Sequence, residues 1–457
     1  MMRMKICQVA FGAFFLATLT FVSTISAHAS TDSTNTEAVL TEVSQLIARR
    51  EFQAALELFD RIDDDSIEIR LLRASVLNSA GRTADARAIA SGIVSIDPDN
   101  VNALMVLASA ALVEGRDREQ RNFLEQVLRV DPENLQAITE LGYHALRARS
   151  LRAAATHFDR ALAINPDYPQ ALVGRAIVYR YNRNPRRAEQ LLNQAIAQNP
   201  GWAAPYHERA RLYRGAGFRE DALSDLNVAR NLEPDNHWIS VDRAITLMEL
   251  GFRQEALEEF DHSIALAPNS FLAHVHRASL REAVGDLAGA AQDHQTVMRI
   301  RPDYFFAAEG LGIIRMKEGR YLEARDAFLT AHRQAPREFR YALLASANWM
   351  RGGRPADPRQ FLSQVLRTAQ RDSPEWFLLR LYHDLSGDAD VIARIQREQN
   401  LDARAMMLFY LALFYDIRGN TSLANRFFME FSEMGRRGTV EWKLNEWIME
   451  QRGLGFN

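Results

Sequence analysis

The chain has 457 residues, a formal net charge of -3 and one cysteine, Cys7. A single cysteine excludes a disulfide-stapled mini-protein and a cysteine-rich zinc domain, and the small net charge excludes a strongly basic nucleic-acid binder. Hydrophobic residues make up 47% and charged residues 25% of the chain, which is typical of a folded globular protein. Only Lys5, Lys317 and Lys443 are lysines, so 52 of the 55 basic residues are arginines.

The N-terminal segment, residues 1–29, has the three parts of a secretory signal peptide. Arg3 and Lys5 precede an apolar stretch over residues 6–25, and Ala27 and Ala29 fit a signal peptidase site. We therefore expect cleavage and export, with a bacterial periplasm as the expected compartment. The apolar stretch also approaches the ~20 residues that span a bilayer, so a retained membrane anchor at residues 6–25 is the alternative.

An internal repeat organises most of the chain. Eight prolines recur at a constant spacing, at positions 98, 132, 166, 200, 234, 268, 302 and 336. With only 14 prolines in the chain, chance does not produce seven equal intervals. When the proline is position 32, the units begin at residues 67, 101, 135, 169, 203, 237, 271 and 305.

Other columns follow the same period. Position 8 is always alanine or glycine, and position 20 is alanine in seven units, with Gln120 as the exception. Position 15 is glycine in six units, and Arg149 and Arg183 replace it in the other two. Apolar residues recur at helical spacing on both sides of position 15, so each unit is predicted to be two helices of about a dozen residues. Glycine at position 15 can take the left-handed conformation that ends the first helix.

These columns resemble the tetratricopeptide repeat family. Ala154-x3-Phe158 and Ala256-x3-Phe260 match one part of its pattern, and Tyr206 with Tyr213 approximates another. The resemblance implies an all-α fold, a right-handed α-solenoid of antiparallel helix pairs with a 34-residue period. We predict eight regular units over residues 67–338.

Less regular segments flank these units. We predict a flexible start and a shortened repeat over residues 30–66, degenerate helical repeats over 339–404, a C-terminal unit over 405–436, and a capping helix with a tail over 437–457. A solenoid needs such a cap to cover its last apolar face. In the cap, Val440, Leu444, Trp447 and Ile448 are predicted to form the buried face, opposite Lys443, Asn445 and Glu446.

The sequence contains no recognisable catalytic, cofactor or metal motif. His274 and His276 lie two residues apart, so on a helix they point to different sides. No phosphate-binding loop or nucleophile elbow is present. We interpret acidic residues such as Glu208, the pair Glu258 and Glu259, and the run at residues 63–65 as solvated faces and helix ends. The sequence thus predicts a protein that is not an enzyme and needs no cofactor.

Arginine at position 7 is accompanied by an acid at position 23 in three consecutive units. The pairs are Arg209 with Asp225, Arg243 with Glu259, and Arg277 with Asp293. A pair repeated between the two helices of one unit indicates a structural role.

In the tetratricopeptide repeat family, positions 2, 5, 9, 12 and 13 of the first helix line a concave groove. The resemblance therefore implies a basic and aromatic groove lining followed by an apolar one: Tyr143, Arg147, Arg180, Tyr181, His207, Arg211 and Arg214, then Trp238, Val241 and Ile245. Arginine side chains suit carboxylates, and aromatic faces suit peptide side chains or sugars. That the arginines are simply solvated remains open.

The leading hypothesis is a non-enzymatic exported scaffold or adaptor that binds partner polypeptides in this groove, in cell-envelope assembly or secretion. The alternative is a carbohydrate-binding subunit of a polysaccharide export or processing system, with Tyr143, Tyr181 and Trp238 as stacking platforms. We expect no nucleic-acid partner, and a membrane partner only if residues 6–25 are retained as an anchor.

Overall fold

The computed structural model describes residues 34–49, 51–62, 64–353 and 358–454. The predicted signal peptide and the alternative membrane anchor lie outside these residues. The described residues form 25 helices and no strand, which confirms the all-α prediction. Within these residues, no helix is both long enough and apolar enough to cross a bilayer.

Contacts between Cα atoms divide the chain into two compact units, here called unit 1, which ends at Phe252, and unit 2, which begins at Arg253. The helices of unit 1 are α1 (Thr34–Ala48), α2 (Phe52–Phe59), α3 (Ile67–Ser79), α4 (Thr83–Ile96), α5 (Val101–Val113), α6 (Asp117–Val130), α7 (Leu135–Arg147), α8 (Leu151–Ile164), α9 (Pro169–Tyr181), α10 (Pro185–Gln198), α11 (Ala203–Ala216), α12 (Arg219–Leu232) and α13 (His237–Leu250).

Unit 2 contains the remaining helices. They are α14 (Arg253–Leu266), α15 (Phe271–Ala283), α16 (Leu287–Ile300), α17 (Phe305–Lys317), α18 (Tyr321–Gln334), α19 (Phe339–Arg351), α20 (Pro358–Leu366), α21 (Pro374–Asp384), α22 (Asp388–Arg397), α23 (Leu401–Ile417), α24 (Thr421–Glu433) and α25 (Val440–Gln451).

The turn inside each regular helix pair has a left-handed residue at position 15. Gly251 has φ 90°, and the other five glycines of this column also have positive φ. Arg149 and Arg183 adopt the same conformation, with φ 60° and 57°. The prediction that position 15 ends the first helix in this way is confirmed, and the turn keeps its geometry even where the residue is not glycine.

Small residues at the helix crossings make room for large aromatic ones. Phe158 of α8 is fully buried, and a Cβ atom added at Gly142 of α7 or at Gly174 of α9 would overlap with its ring. The ring therefore fills the space between three helices of neighbouring pairs. Close packing of this kind explains why position 8 is glycine in this repeat.

The C-terminal helix α25 packs against α17, α23 and α24 of unit 2. Val440, Leu444 and Ile448 are buried as predicted, and Trp447 is half-buried. Asn445, which we predicted on the exposed face, is buried instead, and its Nδ2 donates a hydrogen bond to Ser432 Oγ at 2.7 Å. This hydrogen bond lets a polar side chain lie on the packed face of the helix.

Candidate functional site

Three first helices of unit 1 bring together a group of charged side chains. Helix α9 contacts α11, and α11 contacts α13. The side chains at their junctions are here called the arginine cluster: Arg180, His207, Glu208, Arg211, Arg214 and Asp242. Four of these six residues belong to the predicted groove lining, and the two acids do not.

Glu208 is the first acid of the arginine cluster. Its carboxylate accepts a hydrogen bond from Arg180 Nη2 at 3.0 Å and another from Arg211 Nη1. The Glu208 side chain is only 3% exposed. Burial by itself raises the pKa of Glu208, but the charges of Arg211 and Arg180 outweigh burial and lower this pKa to about 2. The prediction of a solvated Glu208 is therefore wrong, because two arginines compensate for the lost solvent.

Asp242 is the second acid, and its side chain is 1% exposed. Its Oδ2 accepts a hydrogen bond from Arg211 Nε at 2.7 Å and lies 2.9 Å from His207 Nε2. Its Oδ1 accepts from Arg214 Nη1 at 3.2 Å. Arg211 thus links both acids, since it contacts Glu208 and Asp242 at the same time.

The arginine cluster holds one more positive charge than negative. Burial, together with the charge of Arg211, lowers the pKa of His207, so this histidine is neutral at pH 7. Three arginines then face two carboxylates. Arg180 Nε and Arg211 Nη2 are buried, and neither has a hydrogen-bond partner within the described residues. The cluster therefore has a net positive charge that favours a further acidic group.

Solvent reaches the arginine cluster along one edge. The side chains of Arg180 and Arg214 are 24% and 21% exposed, and Tyr181 is 38% exposed. The Arg180 guanidinium carbon lies 4.6 Å from the centre of the Tyr181 ring, which is a cation–π contact. Arginine and aromatic side chains next to each other are typical of protein-binding surfaces.

The other predicted groove residues are buried. Tyr143 has no exposed surface, and its hydroxyl donates to the carbonyl oxygen of Gln170 at 2.8 Å. Trp238, Val241 and Ile245 are also buried. For Tyr143 the reason is physical: its side chain lies between α7 and α9, not on the open surface. These four side chains therefore do not form an exposed lining in this structure.

Burial of the rings also bears on the carbohydrate alternative. Sugar stacking needs an accessible aromatic face, and of Tyr143, Tyr181 and Trp238 only Tyr181 is exposed. The Tyr143 ring instead packs edge to face with Phe158, with the ring centres 5.2 Å apart. No observation therefore favours the carbohydrate-binding alternative.

Arg147, the last predicted groove residue, is buried as well. Its hydrogen bond explains why position 20, which is alanine in the seven other regular repeats, is Gln120 in one. Arg147 Nη2 donates to Oε1 of Gln120, which is itself fully buried. An alanine at position 120 would leave this arginine without an acceptor, and buried charged groups need hydrogen-bond partners. Gln120 at position 20 and Arg147 at position 13 of the next unit therefore belong together.

The sequence did not predict the two acids as partners of the groove arginines, since Glu208 was interpreted as a solvated residue and Asp242 was not singled out. The predicted pairs joined positions 7 and 23 of the same repeat, whereas these ion pairs also join different repeats. Arg180 pairs with Glu208, and Arg214 pairs with Asp242, so position 12 of one unit meets position 6 of the next. A search for acids at position 6 after arginines at position 12 would have found both.

Two of the predicted structural pairs between positions 7 and 23 are present in the structure. Arg209 binds Asp225 with two hydrogen bonds of 2.8 and 2.7 Å, and Arg277 binds Asp293 with two of 2.9 and 2.6 Å. Both arginines join the two helices of their own repeat. The prediction of a structural role is confirmed for these two pairs.

Ser363, His383 and Asp384 of unit 2 form a hydrogen-bonded chain similar to that of serine hydrolases. Ser363 Oγ lies 2.9 Å from His383 Nε2, and His383 Nδ1 lies 2.6 Å from Asp384 Oδ1. However, the Ser363 hydroxyl donates to the carbonyl of Arg359 at 2.9 Å in the middle of α20, where backbone N–H groups are already bonded. A hydrolase also needs free donors for the oxyanion, which a mid-helix serine does not offer.

The described residues contain no group of three or more histidine, cysteine, aspartate or glutamate side chains that could hold a metal ion.

A sequence profile described as the tetratricopeptide repeat matches residues 46–101, and one described as the ETO1 C-terminal domain matches residues 104–311. The chain belongs to the tetratricopeptide repeat family. Repeats of this family are generally non-catalytic, and their fold is that of protein–protein interaction scaffolds. No curated protein matches the sequence.

The chain is similar to several solved structures at low sequence identity. The Cut9-Hcn1 hetero-tetramer of the APC/C is 15% identical over 69% of this chain and 63% of the solved chain, with a TM-score of 0.53. This tetratricopeptide repeat protein thus spans 63% of that chain's length. The type IV pilus biogenesis factor PilW is 20% identical over 46% of this chain and 98% of its own, with a TM-score of 0.39. A thermophilic repeat protein of Thermus thermophilus is 22% identical over 40% and 100%, with a TM-score of 0.37.

Proposed function

We propose that this protein is a non-enzymatic scaffold that binds an acidic segment of a partner polypeptide at the arginine cluster. The observation that carries the proposal is the charge imbalance of the cluster, in which three arginines face two buried carboxylates. Arg180 and Arg214 present part of their guanidinium groups to solvent, so a carboxylate of a partner can reach them. Tyr181 beside them offers an exposed ring for a neighbouring side chain.

The affinity of such a site depends on desolvated arginine–carboxylate hydrogen bonds. These are charge-assisted and stronger than neutral hydrogen bonds, and Arg180 and Arg211 already have their side chains fixed by Glu208. A fixed side chain loses little conformational entropy when a partner binds.

The experiment replaces Arg180 and Arg214 by glutamine and leaves Arg211 intact. Arg211 is excluded because its loss would leave Glu208 and Asp242 buried without their shared cation and would destabilise the fold. The control variant replaces Arg82 and Arg121, which are exposed and lie outside the cluster, so both variants lose two positive charges.

The measurement is the anisotropy of a labelled glutamate-rich decapeptide and of its glutamine-rich counterpart. We expect the protein to prefer the glutamate peptide, and the cluster variant to bind it about tenfold more weakly, which corresponds to about 1.4 kcal/mol. The control variant should bind like the unmodified protein. Equal binding by all three proteins would sink the assignment of the site.

We further propose that the protein acts after export, in cell-envelope assembly or secretion. The composition of residues 1–29 supports this proposal. Cell fractionation followed by N-terminal sequencing tests it. A mature chain that begins near residue 30 in the periplasmic fraction is expected, whereas an intact N-terminus in the membrane fraction would favour the anchor at residues 6–25.

A further inference from the structure

Position 6 of the first helix is acidic in three repeats of unit 1, and two of these acids are neutralised from within the chain. Glu208 is bound by Arg180 of the preceding first helix and by Arg211 at position 9 of its own helix. Asp242 is bound by Arg211 and Arg214, at positions 9 and 12 of the preceding first helix. The third acid of this column is Glu140.

Glu140 is as deeply buried as the other two acids but has no cation bound to it. Its residue is 4% exposed, and neither carboxylate oxygen has a hydrogen-bond partner within the described residues. Its own helix has Tyr143 at position 9, and the preceding first helix α5 has Ser109 and Leu112 at positions 9 and 12. The places that hold arginines around Glu208 and Asp242 therefore hold uncharged side chains around Glu140.

The groups around Glu140 do not replace the missing cation. Arg147 attracts the carboxylate electrostatically, but its hydrogen bond goes to Gln120 of α6. Tyr143 uses its hydroxyl for the Gln170 carbonyl, and Ser109 Oγ accepts a hydrogen bond from Asn78 Nδ2 at 2.6 Å. Burial raises the pKa of Glu140 to about 7. A buried acid in this state gains strongly from a cation placed next to it.

We propose that Glu140 is the binding site for a basic side chain, lysine or arginine, of the partner polypeptide. The cation would occupy the place next to Glu140 that Arg180 occupies next to Glu208. Leu112, which is half-buried, holds the corresponding position 12 of α5 and has to move aside. This inference rests on the proposed function, because the partner polypeptide supplies the cation. A partner bound at the arginine cluster on α9, α11 and α13 would continue along the first helices to α7, which carries Glu140.

The charge pattern then predicts the chemistry of the partner. An acidic segment lies at α9, α11 and α13, and a basic residue lies at α7, one repeat toward the N-terminus of this chain. Opposite charges in this order also fix the direction in which the partner binds, because the reversed segment would place its basic residue against Arg214.

The test does not need the natural partner. The probe is N-acetyl-arginine amide, and N-acetyl-norleucine amide is the uncharged control. Thermal unfolding of the full chain is followed at pH 8, where Glu140 is mostly ionised. We expect millimolar N-acetyl-arginine amide to raise the melting temperature by about 2 °C, and the norleucine compound to have no effect.

Two variants separate the site from other arginine-binding surfaces. Glu140→Gln removes the acid and should abolish the shift. Leu112→Arg places an arginine at position 12 of the repeat before the acid, as Arg180 and Arg214 precede Glu208 and Asp242, and should occupy the site from within the chain. This variant should melt at a higher temperature than the unmodified protein and should no longer respond to the probe. In the Glu140→Gln background, Leu112→Arg should give no gain in melting temperature.

A shift that persists in Glu140→Gln, the absence of any shift in the unmodified protein, or a gain from Leu112→Arg that does not depend on Glu140 would each overturn the proposal. These outcomes are independent of the proposed function, which is tested by the glutamate-rich peptide and the Arg180 and Arg214 variants. If the unmodified protein does not prefer the glutamate-rich peptide, or if the Arg180 and Arg214 variant binds it equally well, while the probe response is intact, the scaffold proposal falls and the cation site stands.

Discussion

The protonation of a single side chain, Glu140, links the stability of unit 1 to pH. Burial raises its pKa to about 7 in the folded protein, from 4.5 in the unfolded chain. The folded state therefore binds a proton more tightly than the unfolded state. The resulting stability is fully present below pH 4.5 and is lost as the pH rises through 7.

Replacing this acid by glutamine should remove its contribution to the pH dependence. We expect Glu140→Gln to unfold like the unmodified protein near pH 4.5 and to be roughly 3 kcal/mol more stable at pH 8, since one unit of pKa corresponds to about 1.4 kcal/mol. Urea unfolding at a series of pH values measures the difference. Glu208→Gln is the opposing control, because Glu208 is held ionised by two arginines, so its replacement should destabilise the protein at pH 8.

At the scale of the element, the turn between the two helices of a repeat requires a left-handed residue at position 15, and two repeats have arginine there instead of glycine. Arg149 and Arg183 have φ 60° and 57°, a conformation that costs a residue with a side chain about 1–2 kcal/mol and glycine nothing. Gly251 in the same column has no atom within 4 Å of the place where a Cβ would lie. The strain at these turns therefore lies in the backbone and not in a steric clash with neighbours.

Restoring glycine should stabilise these two helix pairs. We expect Arg149→Gly and Arg183→Gly each to raise the free energy of unfolding by about 0.5–1 kcal/mol, after subtraction of the greater flexibility of glycine in the unfolded chain. The effects should add, since the turns lie one repeat apart. Arg149→Ala is the control, because alanine keeps the strain and should give no gain. Equal gains from alanine and glycine would show that loss of the arginine charge, not the backbone, is responsible.

The period predicted these elements because it follows from local chemistry. Proline and glycine act on the backbone of their own turn, so their spacing places helix boundaries without knowledge of the neighbours. Side-chain exposure depends on the next helix, and here the sequence analysis failed for Tyr143 and Asn445. Position 9 faces the groove in the family pattern, yet the Tyr143 side chain reaches Gln170 of α9 and is buried. Glu208 was assigned to solvent and Asp242 was not singled out for the same reason, because Arg180 and Arg214, which bind them, lie in the preceding repeats.

At the scale of the whole molecule, the two compact units differ in how far along the chain their contacts reach. In unit 1, the contacts of the arginine cluster that link different repeats join residues 28 to 35 positions apart, as in Arg180 with Glu208 and His207 with Asp242. In unit 2, Arg340 binds Glu441, 101 positions away, and the Tyr410 hydroxyl donates to the Arg340 carbonyl, 70 positions away. The C-terminal helix α25 therefore joins helices α19 and α23, which are far apart in the sequence, into one packed group.

This packing predicts that α25 stabilises helices far from it in sequence. Leu444 of α25 is fully buried, and Leu444→Ala should destabilise unit 2 by about 2–5 kcal/mol. Because Glu441 holds Arg340 and Tyr410 from the same helix, the loss should spread to α19 and α23. Hydrogen exchange measured by mass spectrometry should show faster exchange in both helices. Glu446→Ala, at an exposed position of α25, should leave their exchange unchanged. If Leu444→Ala speeds hydrogen exchange in α25 alone, then α25 only covers the apolar face of the last helix pair and does not stabilise α19 and α23.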